Sequence, residues 1–390
     1  ITNGIDRLQK VDLTAGTISD LDDSAPRAPY VTGMSDRVIA AREDIVYWSG
    51  NRNIDEFNAI ADSSAGNKQL GTSPTGLYDP ITGLFGLTSV MIIPRERSIW
   101  LATPQPIASN PFNFYSAVPG IGADVPNAIA LTKSGIIFLS LLNGNIYRYI
   151  PGGPPEEIGT AVYDDIIDNV TDQSIIFSTY DGEHREFILG ISPSVVPVGD
   201  SGIRLWIYNE LTNAWSRDNL SGISTASVVS QLTDYTSIDE LTGTIDALAG
   251  TIDELSISPV VKPLLILGKS NGDLLKEDST VVKDDGVDFT FEIVSKEFRS
   301  PRVDILVNRI RIEYEATTAG SITLQYTRDG GTTWITAKTI TTVIGGRKLI
   351  NYQRLIKARR LMWRITSTDG AFDVIDYEIH TLPSGDSRAT

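Results

Sequence analysis

The sequence predicts an all-β chain, an irregular β-propeller followed by a C-terminal β-sandwich. Three observations lead there. Short runs rich in Val, Ile, Thr and Tyr recur with turn residues between them. Helical periodicity is scarce along the chain. The pattern of the runs changes near residue 285, which sets a propeller over 1–275 apart from a sandwich over 285–385. The 33 Gly and 19 Pro among 390 residues supply the turns that such a fold needs.

The first nine runs are 37–41, 44–49, 89–94, 98–102, 135–140, 144–149, 174–178, 187–191 and 203–208. Asn143-Gly144 and Asp181-Gly182 sit between paired runs and mark hairpins. Leu205-Trp206-Ile207-Tyr208-Asn209 leads through Leu211-Thr212-Asn213 to Ala214-Trp215. This stretch resembles the inner hairpin of a kelch-like blade, whose aromatic residues fill the gap between blades. The run 144–149 reads as a degenerate second copy. The first blade is expected to be incomplete. The chain opens on Ile1, which leads to the expectation that residues precede it.

Residues 237–255 hold an internal repeat of period seven, with Ile238, Leu241, Ile245, Leu248, Ile252 and Leu255 at alternating spacings of three and four. Gly243 and Gly250 argue against one continuous coiled-coil helix, since an interior glycine costs roughly 1 kcal/mol. Each heptad reads instead as a capped single turn, with Ser237/Glu240 and Thr251/Glu254 as capping boxes. Such short turns cannot stand alone, so Ile238, Leu241, Ile245 and Leu248 are expected to rest on the propeller flank or on a neighbouring subunit.

Seven further runs follow: 289–295, 309–315, 321–327, 333–337, 348–352, 361–367 and 374–379. In Arg309-Ile-Arg-Ile-Glu-Tyr-Glu315 charged and apolar residues alternate strictly, which gives one wet and one dry face. Thr327-Arg-Asp-Gly-Gly-Thr-Thr-Trp334 matches an Asp-box hairpin. Its structural reading has Asp329 accepting backbone N–H groups across the turn. Gly331 takes a positive-φ position beside Thr327, and Trp334 anchors the turn on the core.

Composition removes several chemistries. At 41% hydrophobic and 21% charged residues the chain is too apolar for a disordered one. No apolar run approaches the ~18 residues of a membrane-crossing helix, and no charged-then-apolar signal segment opens the chain. With no cysteine there is no disulfide, thiol nucleophile or Cys-ligated metal. His184 and His380 are the only two histidines and read as structural or surface residues. The adjacent pairs Asp164-Asp165 and Asp284-Asp285 read as surface turns, because neighbours on a strand face opposite sides. There is no phosphate loop, nucleophile elbow or HExxH motif. The expectation is a non-enzymatic chain without cofactor or metal.

The net charge of −16 is unevenly spread. Up to residue 275 there are 16 Lys+Arg against 33 Asp+Glu, and beyond it 17 against 16. Between Gly345 and Arg364 lie Arg347, Lys348, Arg354, Lys357, Arg359, Arg360 and Arg364 with no acid among them. Opposite potentials dock partners, so these basic residues are expected to meet a subunit or partner rather than nucleic acid. The acidic N-terminal part has the wrong sign to grip a phosphate backbone and would let one slide past.

Several stretches, taken in order, resemble the nozzle, or DNA-stabilisation, proteins of short-tailed bacteriophages. They are Thr2-Asn-Gly-Ile-Asp-Arg7, Ser35-Asp-Arg-Val-Ile-Ala40, Val46-Tyr-Trp-Ser49, Ile54-Asp-Glu-Phe57 and Pro94-Arg-Glu-Arg-Ser-Ile-Trp100. Gly120-Ile-Gly122, Gly135-Ile-Ile-Phe-Leu-Ser140 and Gly144-Asn-Ile-Tyr-Arg148 continue the series, and the repeat at 237–255 follows with Ile where the family carries Trp. The resemblance implies a virion protein that forms a distal tail ring, commonly a hexamer. Such a ring docks the tail adaptor and fibre or spike proteins. Double-stranded DNA is retained in its lumen and then conducted without specific binding, and the ring does not insert into a membrane. The competing expectation is a sialidase-like or lectin propeller that binds or cleaves host-surface glycans.

Overall fold

The computed structural model describes residues 1–72, 76–168, 170, 176–191, 202–221, 223–233, 260–269, 271–276, 291–295, 297–299, 304–316, 319–367 and 372–383. The chain forms two compact units, Ile1–Glu277 and Asp278–Thr390. Both are built from antiparallel strands.

The first unit opens with a hairpin of β1 (Gln9–Asp12) and β2 (Thr17–Asp20). Five sheets follow in chain order, each a simple meander. The first has β3 (Tyr30–Met34), β4 (Arg37–Arg42), β5 (Ile45–Trp48) and β6 (Gly66–Gln69). The second has β7 (Phe85–Gly86), β8 (Met91–Pro94), β9 (Ser98–Pro104) and β10 (Phe112–Pro119). The third has β11 (Ile129–Leu131), β12 (Ile136–Ser140), β13 (Asn145–Tyr149) and β14 (Glu156–Glu157). A short helix, α1 (Tyr163–Ile167), leads to the fourth sheet of β15 (Ile176–Asp181), β16 (Glu186–Ile191), β17 (Gly202–Asn209) and β18 (Ala214–Ser221). The fifth has three strands, β19 (Ile223–Thr233), β20 (Val260–Lys269) and β21 (Leu274–Lys276). The first strands of successive sheets lie against one another, β3 on β7, β11 on β15 and β15 on β19, so the first strand of each meander is its inner edge. This is the blade arrangement of an irregular propeller.

The middle strands explain why the blades stack. On β12, Ile137 and Leu139 point into the gap with the fourth sheet, while Ile136 and Phe138 point into the gap with the second. On β16 and β17, Phe187, Leu189, Trp206 and Tyr208 face the third sheet, and Ile188 and Leu205 face the fifth. On β8, Met91 and Ile93 face the first sheet and Ile92 the third. Strict alternation thus sends one half of every middle strand to each neighbour, and a strand buried on both faces reads as a continuous apolar run such as Ile136-Ile-Phe-Leu139. Aromatic pairs complete the gaps. Phe138 and Tyr147 stack at 5.7 Å, and Trp215 meets Tyr208 at 5.2 Å and Phe187 edge-on at 6.4 Å. The kelch-like stretch is β17 with β18, the outer pair of its blade rather than the inner hairpin, because β15 and β16 precede it on the inner side. Its aromatic residues do fill a gap between blades, and Trp215 Nε1 donates to the Ile158 carbonyl of the third blade at 2.7 Å.

The second unit is a sandwich. One sheet runs β22 (Phe291–Val294), β28 (Arg360–Ser367), β25 (Ser321–Thr327), β26 (Ile335–Thr341), with β23 (Phe298–Arg299) also on β28. The other runs β27 (Arg347–Ala358), β24 (Ile305–Ala316), β29 (Phe372–Pro383). The dry face of β24 carries Ile310, Ile312, Tyr314 and Ala316 and packs on Ile322, Leu324, Tyr326, Leu361, Trp363 and Ile365 of the opposite sheet. The sandwich strands are those the alternation predicts, with β23 added.

Phe138 is fully buried and belongs to the gap between the second and third blades. Phe138→Ala is expected to lower unfolding stability by about 3–5 kcal/mol, measured by urea titration, because it removes buried aromatic area and leaves a cavity.

Candidate functional site

In an antiparallel meander, the turn between strands two and three lies at the same end as the connectors that enter and leave the blade. Asp79, Asp124 and Asp165 lie at that end. Each connector is tied to the blade it leaves and to the blade it enters. Connector 70–84 accepts and donates on both sides. Leu70 N–H and Ile81 N–H go to the Asp44 and Glu43 carbonyls of the first blade at 2.8 and 2.5 Å. Asp79 then reaches the turn of the second blade, where its carboxylate accepts from Arg97 N–H at 2.7 Å and Ser98 Oγ at 2.5 Å.

Connector 120–128 repeats the device. Gly120 N–H and Ala123 N–H donate to the Arg97 and Arg95 carbonyls at 3.0 and 2.8 Å. Asp124 then accepts Leu141 N–H and Leu142 N–H of the third blade at 2.9 and 3.1 Å. Gly122 is required by this crossing, because a Cβ there would run into the backbone of Glu96 and Arg97. In the next connector, Asp165 on α1 accepts Trp206 Nε1–H of the fourth blade at 3.0 Å and faces Arg217 at 3.3 Å. The pair Asp164-Asp165 therefore sits on a five-residue helix, not in a turn, and Asp165 holds a blade.

Arg95 is fully buried and fixes the same region. Its Nε donates to the Asp79 carbonyl at 2.6 Å and Nη2 to the Gly71 carbonyl at 2.5 Å, with the Asp79 carboxylate at 3.6 Å. Its guanidinium lies over the Trp100 ring at 5.6 Å. Burial pushes the Glu96 carboxyl up, and the charges of Asp79 and Asp124 push it further against the pull of Arg97. Burial also pushes Asp124 up, opposed by the hydrogen bonds it accepts. Tyr78 is raised by burial and then by Glu43, Asp44 and Glu96, and Tyr163 by burial and then by Asp124 and Asp164. These couplings trace one acidic arc across the first four blades. Among the described residues no group of His, Asp and Glu is arranged to hold a metal ion.

The sequence did not single out Asp79, Glu96 or Asp124. A signal for two of them was present, since Asp79-Pro80 and Asp124-Val-Pro126 each stand in a turn-rich connector just before an inner strand. The two histidines are each beside a carboxylate, His184 at 2.5 Å from Asp181 and His380 at 3.3 Å from Glu378.

In the sandwich, Asp329 does organise the Asp-box. Its carboxylate accepts from Thr327 Oγ1 at 2.5 Å, Thr333 N–H at 3.0 Å and Thr333 Oγ1, which holds its carboxyl well below the usual range. Gly330 and Gly331 both take positive φ, and Gly331 N–H donates to Thr327 Oγ1 at 3.2 Å. Trp334 differs from expectation. It is half-buried outside the core cluster and lies under the Arg364 guanidinium at 4.3 Å, so a cation–π contact on the sheet surface anchors the turn.

The basic segment finds acids within its own domain. Arg347 faces Glu313 at 3.8 Å, Lys357 and Arg359 face Asp304 at 3.1 and 3.6 Å, Arg360 meets Glu297 at 2.5 Å, and Arg364 faces Glu292 at 3.8 Å. Arg360 holds the Glu297 carboxyl below its ordinary range. Lys348 is half-buried. The Arg354 side chain, the heptad positions Ile238, Leu241, Ile245 and Leu248, and the Asp284-Asp285 pair lie outside the described residues.

No protein-family model matches the chain, and no curated protein does. Solved structures that match include an exo-beta-1,3-galactanase from Phanerochaete chrysosporium, at 8% identity and a TM-score of 0.27, covering 90% of this chain and 95% of that one. A glycoside hydrolase matches at 10% identity and 0.21, covering 90% and 96%. The Synechocystis apocarotenoid oxygenase matches at 10% and 0.27, covering 64% and 59%. Scores this low assign no activity to this chain. The expectation of a non-enzymatic chain is nevertheless corrected here, because the matched structures include glycoside hydrolases, and it is not carried forward.

Two substitutions test the clasps. Asp79→Ala leaves Arg95 buried without its carboxylate and is expected to cost about 3–5 kcal/mol in a denaturant titration. Asp124→Asn mimics the protonated acid. Because the folded-state value of Asp124 is raised, its charge opposes folding as pH climbs from about 4 through that value. The Asn variant should melt with wild type below about pH 4 and above it at neutral pH. A lower melting temperature at neutral pH would show that the two accepted N–H bonds dominate.

Proposed function

We propose that the chain is a structural component of a virus tail. Copies assemble into the distal ring, six of them in the family it resembles, below the adaptor and against fibre or spike proteins. The wall of that ring is acidic, and genomic DNA is retained and then conducted through it without specific binding. The observation that supports this reading is where the charge sits. The unit Ile1–Glu277 carries 17 Lys+Arg against 34 Asp+Glu, while Asp278–Thr390 carries 16 against 15. The five inner strands hold a single charged residue, Asp181, and most acids among the described residues lie on connectors, turns and outer strands. A negative wall keeps phosphates off, whereas cations would add a sequence-independent attraction that slows transit. The ordered resemblance to tail nozzle proteins, from residue 2 through the repeat at 237–255 to the C-terminal Asp-box sandwich, points the same way.

A second reading is favoured by Glu96 and Asp124. Burial raises both carboxyls, the charge of Asp124 raises Glu96 further, and a glycan-cleaving site uses a pair of carboxyls of this kind. The two readings separate cleanly. Mass measurement of the native particle should give a closed multiple of the chain, with no retention of double-stranded DNA at low salt. A strict monomer that hydrolyses sialosides or host polysaccharide, and loses that turnover in Glu96→Gln, would reverse the order.

A further inference from the structure

The stack of five blades has two terminal faces, and they differ. On β4, Ile39 and Ala41 face the second blade, while Val38 and Ala40 face away from it. That outer face is closed by the chain's own segment 1–28. Leu8, Ala25 and Ala28 are buried with Ala40 and Phe57, and Leu21, Val38 and Tyr47 pack around them. Leu8 N–H donates to the Pro26 carbonyl at 3.2 Å and Leu21 N–H to the Leu8 carbonyl at 2.7 Å, which folds the segment back on itself. Ser24 Oγ accepts Phe57 N–H at 3.0 Å and ties it to the blade.

The fifth blade ends the stack on the other side. Its middle strand β20 sends Leu265 and Leu267 to the fourth blade, where they pack with Ala226 and Leu275 on Phe177, Ile188 and Leu205. Alternation turns Leu264 and Ile266 to the opposite face. The register sets Val229 beside Leu264, and Ser227 and Lys276 on either side of Ile266. A Cβ on Gly268 would meet Thr225 and Leu274 on that same face. Leu264 and Ile266 are half-buried, Val229 and Lys276 are exposed, and Leu274 is 72% exposed. No apolar cluster of described residues joins this face to another blade. The middle strands β8, β12 and β16 are covered on both sides, whereas β20 is covered on one. A contiguous Val, Leu, Ile and Leu surface of this kind marks a docking site.

A segment of matching chemistry leaves from the same strand pair. Thr233 on β19 is in register with Val260 on β20, so residues 234–259 begin and end side by side on this blade. They lie outside the described residues, and their sequence supplies the argument. Ile238, Leu241, Ile245, Leu248, Ile252 and Leu255 recur at spacings of three and four, which suits one apolar surface. The segment has six acidic residues and no Lys or Arg, opposite in sign to Lys276 on the open face. Ile266 lies about 20 Å along β20 from Val260, at ~3.3 Å per residue, and the 26 residues of the segment span that distance with ease. The far end of the stack is sealed in the same manner, by a contiguous segment of similar length.

We infer that segment 234–259 docks its Ile and Leu residues on the open face of the fifth blade of its own chain, so that both terminal blades are sealed by contiguous chain. This holds whether the chain builds a ring or cleaves a glycan. The absence of cysteine makes the test direct. The full chain carrying Leu274→Cys and Ala249→Cys is treated with a short bismaleimide at low protein concentration. The expected product is a link within one chain, at the monomer mass, identified by the two joined peptides. Adding Ile245→Asp and Leu248→Asp should reduce it at least tenfold. Absence of the link overturns the inference. A species of twice the chain mass, formed instead when the two single-cysteine chains are mixed, makes a second copy the occupant and overturns it too. A second measurement needs no linker geometry. Ile266→Cys is labelled with a maleimide in the full chain and in a chain whose residues 237–255 are replaced by Gly and Ser at equal length. Labelling should be at least tenfold faster in the replaced chain, and equal rates overturn the dock.

Discussion

The propeller depends on carboxylates that hold successive blades by their turns. Asp79, Asp124 and Asp165 each leave one blade's connector and bond the next blade, to Arg97 and Ser98, to Leu141 and Leu142, and to Trp206 and Arg217 respectively. Hydrophobic gaps alone would leave neighbouring meanders free to slide, because burial is non-directional. Directional hydrogen bonds to defined N–H groups fix the register of one blade on another. The same clasps set three of the unit's carboxylates at the end where its blades are joined.

The parts of this fold that are legible in the sequence are those whose burial is symmetrical. Second strands such as β8 and β12 are packed on both faces and appear as apolar runs. Inner strands such as Phe85–Gly86 and Ile129–Leu131 are too short to show a period. Outer strands such as Gly66–Gln69 and Glu156–Glu157 are polar and look like loop. The sandwich is readable for the opposite reason, since one wet and one dry face gives Arg309–Glu315 its strict alternation. The turn chemistry around Asp79 and Asp124 is visible in the sequence, but their bonding partners are set by which turn a connector crosses, which is a tertiary fact. The helix of Asp164 and Asp165 has five residues, below what periodicity can detect.

The basic run between Gly345 and Arg364 is less isolated in space than along the chain. Along the chain it stands without an acid, yet Asp304, Glu297, Glu313 and Glu292 arrive from other strands and face most of it. Exposed pairs of this kind add little stability, typically ~0–1 kcal/mol each. Their effect is on selectivity. Charges along β27 discourage indiscriminate strand addition.

Every apolar gap in the propeller is built half from one sheet and half from the next. A nascent chain released between two blades would therefore end in a bare oily slab, with its last sheet finished in pairing but not in burial. No blade is an autonomous folding unit, and the native state is reached only as each newcomer seals the one before it. Stability in this unit belongs to the stack, and a defect in any one gap is felt as loss of cooperativity throughout.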